Sequence, residues 1–153
     1  MSLYLGLDAS TQSLTAIVVE IEGDVRRVVW QYTLNFDRDL PEYGTTGGVR
    51  RGPEEGVVHA SPVMWAEALD RVLAVLASAA DVEVEQIRAI SGSAQQHGSV
   101  YLNRRACETL RALDPGAALA PQIKLIFSRR ESPVWLDTST TVQCREIEDA
   151  IGG

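Results

Sequence analysis

Residues 4–20, YLGLDASTQSLTAIVVE, decide how the chain begins to fold. The apolar runs at 4–8 and 16–21 read as two β-strands, split by the polar turn Ser10-Thr11-Gln12-Ser13. Glu22-Gly23-Asp24 is a second turn, leading into a third strand over 25–34 where Val28, Trp30 and Tyr32 recur at every second residue. Three strands joined by two short turns predict an antiparallel meander.

Outward from that start, residues 37–56 form a long polar stretch in which Gly44, Gly47, Gly48, Gly52 and Gly56 recur. A loop of this length inside a compact domain is usually functional or mobile. Ser61-Pro62 then signals a helix start, with a capping hydroxyl and proline in the first turn. The helix is predicted over 63–80, with Trp65, Leu69, Val72, Leu73 and Leu76 on its apolar face. Residues 87–91 return to a strand. Connection rules place it in the same sheet, parallel to the first strand. Shorter strands are predicted at 100–102, 123–127 and 134–136, and residues 104–120 as a helix followed by a Pro-Gly turn. A last helix over 141–151 starts at a capping box of Thr140 with Gln143 and stops at Gly152. Three hairpin-connected strands followed by a helical crossover predict an α/β fold of the ribonuclease H-like, actin-like ATPase type, with helices covering a mixed sheet.

Bulk properties narrow the function. At 153 residues, with 45% hydrophobic and 23% charged residues, the chain suits one soluble domain with a real core. Its net charge of -7 argues against a nucleic-acid partner, which calls for a basic face. Apolar stretches are too short to span a membrane, and no basic start followed by an apolar segment marks a signal peptide. Cys107 and Cys144 lie far apart without a CxxC pattern, which reads as two reduced thiols in a cytoplasmic protein.

Three stretches carry groups that could do chemistry, and each has a plain structural reading beside the functional one. Asp8 ends an apolar strand where a carboxylate is otherwise unwelcome. With Ser10, Thr11, Gln12 and Ser13 it can surround phosphate oxygens and hold a magnesium ion, or it can simply make an Asx-type hairpin turn. The loop ISGSAQQHGS, residues 90–99, follows a strand and offers Gln95, Gln96, His97 and Ser99, a set suited to several hydroxyls and so to a polyol. A lone histidine is also often structural. No triad partner and no metal-ligand spacing joins His97 to His59. In SPVWLDTSTT, Trp135 is either core or the wall of a ligand pocket. Asp137 either begins a helix or supports that pocket's floor.

Taken together, residues 4–20, ISGSAQQHGSVYL (90–102) and SPVWLDTSTTVQCREIE (132–148) resemble the N-terminal part of FGGY-family carbohydrate kinases, most closely the xylulokinase branch. LPEYGTTGGV (40–49) and SPVMWAEALD (61–70) fit the same branch. The resemblance implies an actin-like fold whose N-terminal domain, to which residues 1–153 contribute, binds the sugar. It also implies a C-terminal domain, expected to lie outside this chain, that binds ATP with Mg2+. It implies that the parent enzyme phosphorylates D-xylulose to xylulose 5-phosphate in the cytoplasm. Asp8 would serve the metal and Asp8, Ser10, Thr11, Gln12 and Ser13 the phosphates. His97 would hold the ketopentose, with Gln96, Trp135 and Asp137 beside it. The general-base aspartate would lie beyond Gly153, so residues 1–153 alone are expected to be inactive, and their uncovered apolar surface to favour self-association. Many family members carry a basic residue where this chain has Thr15, which cannot supply a positive charge. Other classes stay open: a kinase of ribulose, glycerol or another polyol, a non-catalytic sugar-binding module, and a ribonuclease H-like nuclease. The nuclease is disfavoured because the loop after Ile90 brings no second carboxylate.

Overall fold

The structure is a computed structural model describing residues 2–152. Strands β1 (Ser2–Ala9), β2 (Ser13–Glu22) and β3 (Val25–Asn35) form the expected antiparallel meander. Helix α1 (Phe36–Asp39) turns the chain away from β3 and a 3-10 turn, Pro41–Tyr43, follows. Short strands β4 (Arg50–Arg51) and β5 (Val58–Ala60) lead to the long helix α2 (Pro62–Ala77). The chain then crosses to β6 (Ile87–Ala94), which lies parallel to β1, giving the sheet order β3-β2-β1-β6. This mixed sheet with its helical crossover is the predicted arrangement.

Alternation explains which face is inside. Along β2, Leu14, Ala16 and Val18 point into the core and their neighbours do not. They meet Leu3 and Leu5 of β1, Leu34 of β3 and, from the other side, Met64, Ala68, Val72 and Leu76 of α2. Glu20 shares that inner face and is made tolerable by Arg27 of β3, whose Nε lies 3.0 Å from its carboxylate.

Val72 and Leu76 are buried on the predicted face and Trp65 and Leu69 pack partly against the same core, while Leu73 is exposed and Met64, Ala66 and Ala68, which the apolar pattern did not single out, are inside. Two layers cause this. One side of α2 faces the sheet, while Ala66 on another packs with Ala106, Ala120, Ile123 and Ile126. Small residues let both layers approach, so alanines are buried beside the bulkier Met64, Val72 and Leu76.

Beyond β6, the helix expected within 104–120 is α3 (Ala106–Arg111), followed by a turn through Pro115-Gly116. The strand expected at 123–127 does not form. Helix α4 (Leu119–Ile123) runs into it, and Ile123 and Ile126, three residues apart, bury together as a helical turn does. Leu102 and Phe127 make only an isolated bridge, so 100–102 is not a strand either. The strand predicted at 134–136 lies two residues earlier, as β7 (Ser132–Pro133), and completes a small sheet ordered β4-β5-β7. Helix α5 (Thr141–Ile151) ends at Gly152 with φ +90°, as predicted, but none of its residues is buried. Neither Ser61 nor Thr140 makes the predicted side-chain cap. Cys107 and Cys144 are free and exposed. Among the described residues, no helix is long and apolar enough to cross a membrane.

Candidate functional site

Parallel pairing of β1 with β6 brings two of the three chemical stretches side by side. Asp8 is in register with Ser93 and Ala9 with Ala94, so both strands release their loops at the same sheet edge. Ligands of open α/β sheets bind at this carboxyl end. One further bond, from the Gln95 amide to the Ala9 carbonyl at 2.9 Å, carries the pairing past the last strand residue. The turn after β1 is closed by the Ser10 amide, which donates to the Ser13 carbonyl at 3.0 Å.

The third stretch arrives from β7. The Ser99 amide donates to the Pro133 carbonyl at 3.1 Å, tying the histidine loop to the segment that carries Trp135. The indole Nε1 of Trp135 in turn donates to Thr11 Oγ1 at 3.0 Å. Between these three stretches lies a cleft of about 400 Å³, lined by Asp8, Ser10 and Thr11 on one side, Ala94, Gln95, Gln96 and His97 on another, and Trp135. Its size suits a small polar ligand.

Local features of the cleft set it apart from a plain hairpin. His97 has φ 61°, the one non-glycine residue with positive φ among the described residues. A residue held there stores on the order of 1 kcal/mol of strain, of the kind that gathers at binding sites. Trp135 is 54% exposed, so it is a wall and not core. Gln95 Oε1 is buried without a hydrogen-bond partner among the described residues, leaving an acceptor for a hydroxyl or water. Asp8 accepts from Ser93 Oγ at 2.6 Å through Oδ1.

The other residues singled out from the sequence lie differently. Gln12 is exposed and lends its carbonyl to the Phe36 amide at 2.9 Å, and Ser13 closes the turn; neither lines the cleft. Asp137 does not line it either. Its Oδ2 accepts from the Val58 amide at 2.9 Å and sits 3.1 Å from His59 Nε2, while Oδ1 accepts from the amide and hydroxyl of Ser139. Burial pushes the Asp137 carboxyl up, but the Ser139 hydroxyl, the Val58 and Ser139 amides and His59 together hold it below the usual carboxylate value. Gln95 was legible only as one of several polar loop residues, and Ala94 carried no signal at all.

A cation site made by the protein alone is not present: among the described residues no three of His, Cys, Asp and Glu come together. Magnesium, however, often takes one carboxylate and fills its remaining positions with water and substrate phosphate. Asp8 fits that demand, since Oδ2 takes no hydrogen bond among the described residues.

No family model matches the chain. Individual relatives do. Xylulose kinase 2 of Arabidopsis thaliana is 43% identical over 153 residues, 99% of this chain and 27% of that protein. The xylulose kinase of Rattus norvegicus is 40% identical over 97% of this chain and 27% of its own length. The chain matches FGGY-family sugar kinases. It spans about a quarter of the length of these curated relatives. Solved FGGY-type kinases carry the same fold. The crystal structure of a xyloylose kinase from Brucella ovis superposes with a TM-score of 0.66 at 22% identity, over 97% of this chain and 24% of that one. A glycerol kinase from Plasmodium falciparum, with ADP, gives 0.54 at 15% identity over 97% of this chain and 23% of that one.

Proposed function

We propose that the full-length gene product transfers the γ-phosphoryl group of MgATP to the 5-hydroxyl of D-xylulose. The observation that carries this reading is the convergence of Asp8, Ser10 and Thr11 with Gln96, His97 and Trp135 on one cleft. The relatives named xylulose kinase support the choice of sugar.

Phosphoryl transfer asks a protein chiefly for alignment and charge stabilisation. His97 and Gln96, which line the cleft, would hold hydroxyls of the sugar chain, and the exposed Trp135 would pack on its carbons. The turn at 10–13 would lie against the phosphates, with the Thr11 hydroxyl fixed by the indole. Magnesium, when bound, supplies positive charge against the transferring group, and Asp8 is the residue here that would hold it. Thr15 does not help: its hydroxyl pairs with Thr33 at 3.0 Å. Among the described residues no Lys or Arg lines the cleft. Residues 1–153 would thus form part of a sugar-binding N-terminal domain. The general base and the adenine site would come from chain beyond them in the full-length product.

A second reading keeps the chemistry and changes the sugar. A gluconate kinase from Lactobacillus acidophilus shares the fold with a TM-score of 0.63 at 15% identity, covering 97% of this chain and 23% of that one. Together with the glycerol kinase, it means the fold itself does not select the substrate. ADP release by the purified full-length gene product, measured with D-xylulose, D-ribulose and glycerol in parallel, decides. D-xylulose should give the highest kcat/KM. Turnover confined to another polyol would leave a kinase of a different substrate, and no turnover with any would overturn the reading.

A further inference from the structure

The glycine-rich segment between α1 and β5 lies against the turn after β1 at one end and against the chain after Trp135 at the other, without lining the cleft. At one end, Gly48 (φ +77°) lies against the turn after β1. A Cβ there would fall 2.7 Å from Gln12 Cα and 2.8 Å from the Thr11 carbonyl carbon, both backbone atoms that would have to shift. At the other end, Gly56 (φ +80°) lies against the chain just after Trp135. A Cβ on Gly56 would sit 2.7 Å from Thr138 Oγ1 and 3.1 Å from the Ser139 amide nitrogen. The Thr138 amide also donates to the Gly56 carbonyl at 2.9 Å.

One carboxylate holds the near end in shape. Asp37 accepts from Thr45 Oγ1 at 2.6 Å, from the Gly47 amide at 2.6 Å and from the Gly48 amide at 2.9 Å. Next to it, the Phe36 amide donates to the Gln12 carbonyl at 2.9 Å. The Asp37 corner therefore grips the turn twice, directly through its neighbour and indirectly through Gly48. What that grip fixes is the position of Thr11, whose hydroxyl is the acceptor for the Trp135 indole.

We propose that Asp37 and Gly48 are positioning residues of the cleft: they hold the Thr11–Gln12 peptide where Thr11 meets Trp135, and so set the spacing between the phosphate-facing turn and the aromatic wall. Their part in phosphoryl transfer rests on the kinase reading above; their part in the geometry does not.

Fluorine NMR separates the two. Three tryptophans are present, so the full chain labelled with 5-fluorotryptophan gives three resonances, and Trp135→Phe assigns one of them. Thr11→Val removes the indole's acceptor and shows which way the Trp135 resonance moves. Gly48→Ala and Asp37→Asn should move it in the same direction while Trp30 and Trp65 stay in place. A folded Gly48→Ala protein with an unmoved Trp135 resonance would overturn the proposal. If Gly48→Ala does not fold, Thr45→Val decides. It removes one donor to Asp37 and should give a smaller shift of the same sign, and no shift would count against the proposal. In the full-length gene product, Asp37→Asn should lower kcat with D-xylulose by about 10-fold or more, because a small misplacement of a reacting group is expensive, and raise the sugar KM much less. A shifted resonance with unchanged kcat would refute the catalytic half alone. Absence of kinase activity in the unmutated product would refute the reading on which that half rests.

Discussion

Replacing Asp137 by alanine tests whether this carboxylate faces a ligand or holds the fold. Three donors converge on it, the Val58 amide and the Ser139 amide and hydroxyl, and His59 Nε2 lies 3.1 Å away. They do not count equally. Ser139 is exposed and re-solvates, so its two bonds are worth little net. Val58 is buried, and its amide would be left without a partner, at roughly 1–3 kcal/mol. At about 2 kcal/mol, and with each kcal/mol moving Tm by about 2–4 °C for a chain of this size, Tm should fall by roughly 4–8 °C. Thermal unfolding followed by circular dichroism at pH 7 measures it, with Asp137→Asn, which keeps one acceptor oxygen, expected in between. Sugar affinity, measured well below the variant's Tm, should be nearly unchanged. A Tm within about 2 °C of the unmutated protein, together with lost sugar affinity, would put Asp137 back among the ligand-binding residues.

Other expectations follow from the same geometry. His97→Ala in the full-length gene product should lower kcat/KM for D-xylulose by about 10-fold or more, from lost hydrogen bonds of ~1.5 kcal/mol or above; unchanged kinetics with a lower Tm would make His97 structural. Asp8→Asn should reduce turnover far more than it weakens equilibrium binding of D-xylulose, since a metal-facing charge acts on the transferring group; the reverse pattern would place Asp8 with the sugar. Residues 1–153 alone should release no ADP above background with saturating D-xylulose and MgATP, and activity that copurifies with them would relocate the general base. Acid should loosen the fold late. In Asp37 and Asp137 burial raises the carboxyl pKa but hydrogen bonds lower it further, and in Glu67 the Tyr43 hydroxyl and Arg71 do the same. Folded values below the unfolded ones mean that this stability is complete above about pH 5 and drains away as pH falls through about 4 and below. Tm against pH should therefore be level from 7 to 5, and a decline that begins near pH 6 would point to other groups.

Much of the fold was legible because its first half obeys simple periods. β2 alternates along its length, the turns carry Ser, Gly and Asp, and the helix announces itself with Ser-Pro. What could not be read has physical reasons. α2 is covered on two sides, so Ala66 and Ala68 are more deeply buried than Leu73, and a scale of bulk cannot show it. Ile123 and Ile126 fit a strand as well as a helical turn, and packing on Ala66 and Ala106 chose the turn. The glycine-rich segment has no period because its shape comes from hydrogen bonds between one side chain, Asp37, and backbone amides far along the chain. For the cleft, the strand ends pointed to Asp8 and His97, since parallel strands deliver their loops to a common edge. Contacts made through backbone, such as Gly48 on Thr11, left no chemical signature beyond a pair of glycines. Asp137 drew attention as a carboxylate two residues from Trp135, and only its partners across the chain reveal what it holds.

The proposed function requires a ketose to lie between the 94–97 loop and Trp135 with its reacting end toward the turn at Asp8. A crystal structure of the full-length gene product with D-xylulose and ADP tests it most directly. Sugar hydroxyls should lie within hydrogen-bond distance of His97 and Gln96, carbon atoms against the Trp135 ring, and the 5-hydroxyl on the side of Asp8, Ser10 and Thr11. Sugar bound elsewhere in the molecule, or seated in the cleft with its 5-hydroxyl turned away from Asp8 and no bond to His97, would contradict it.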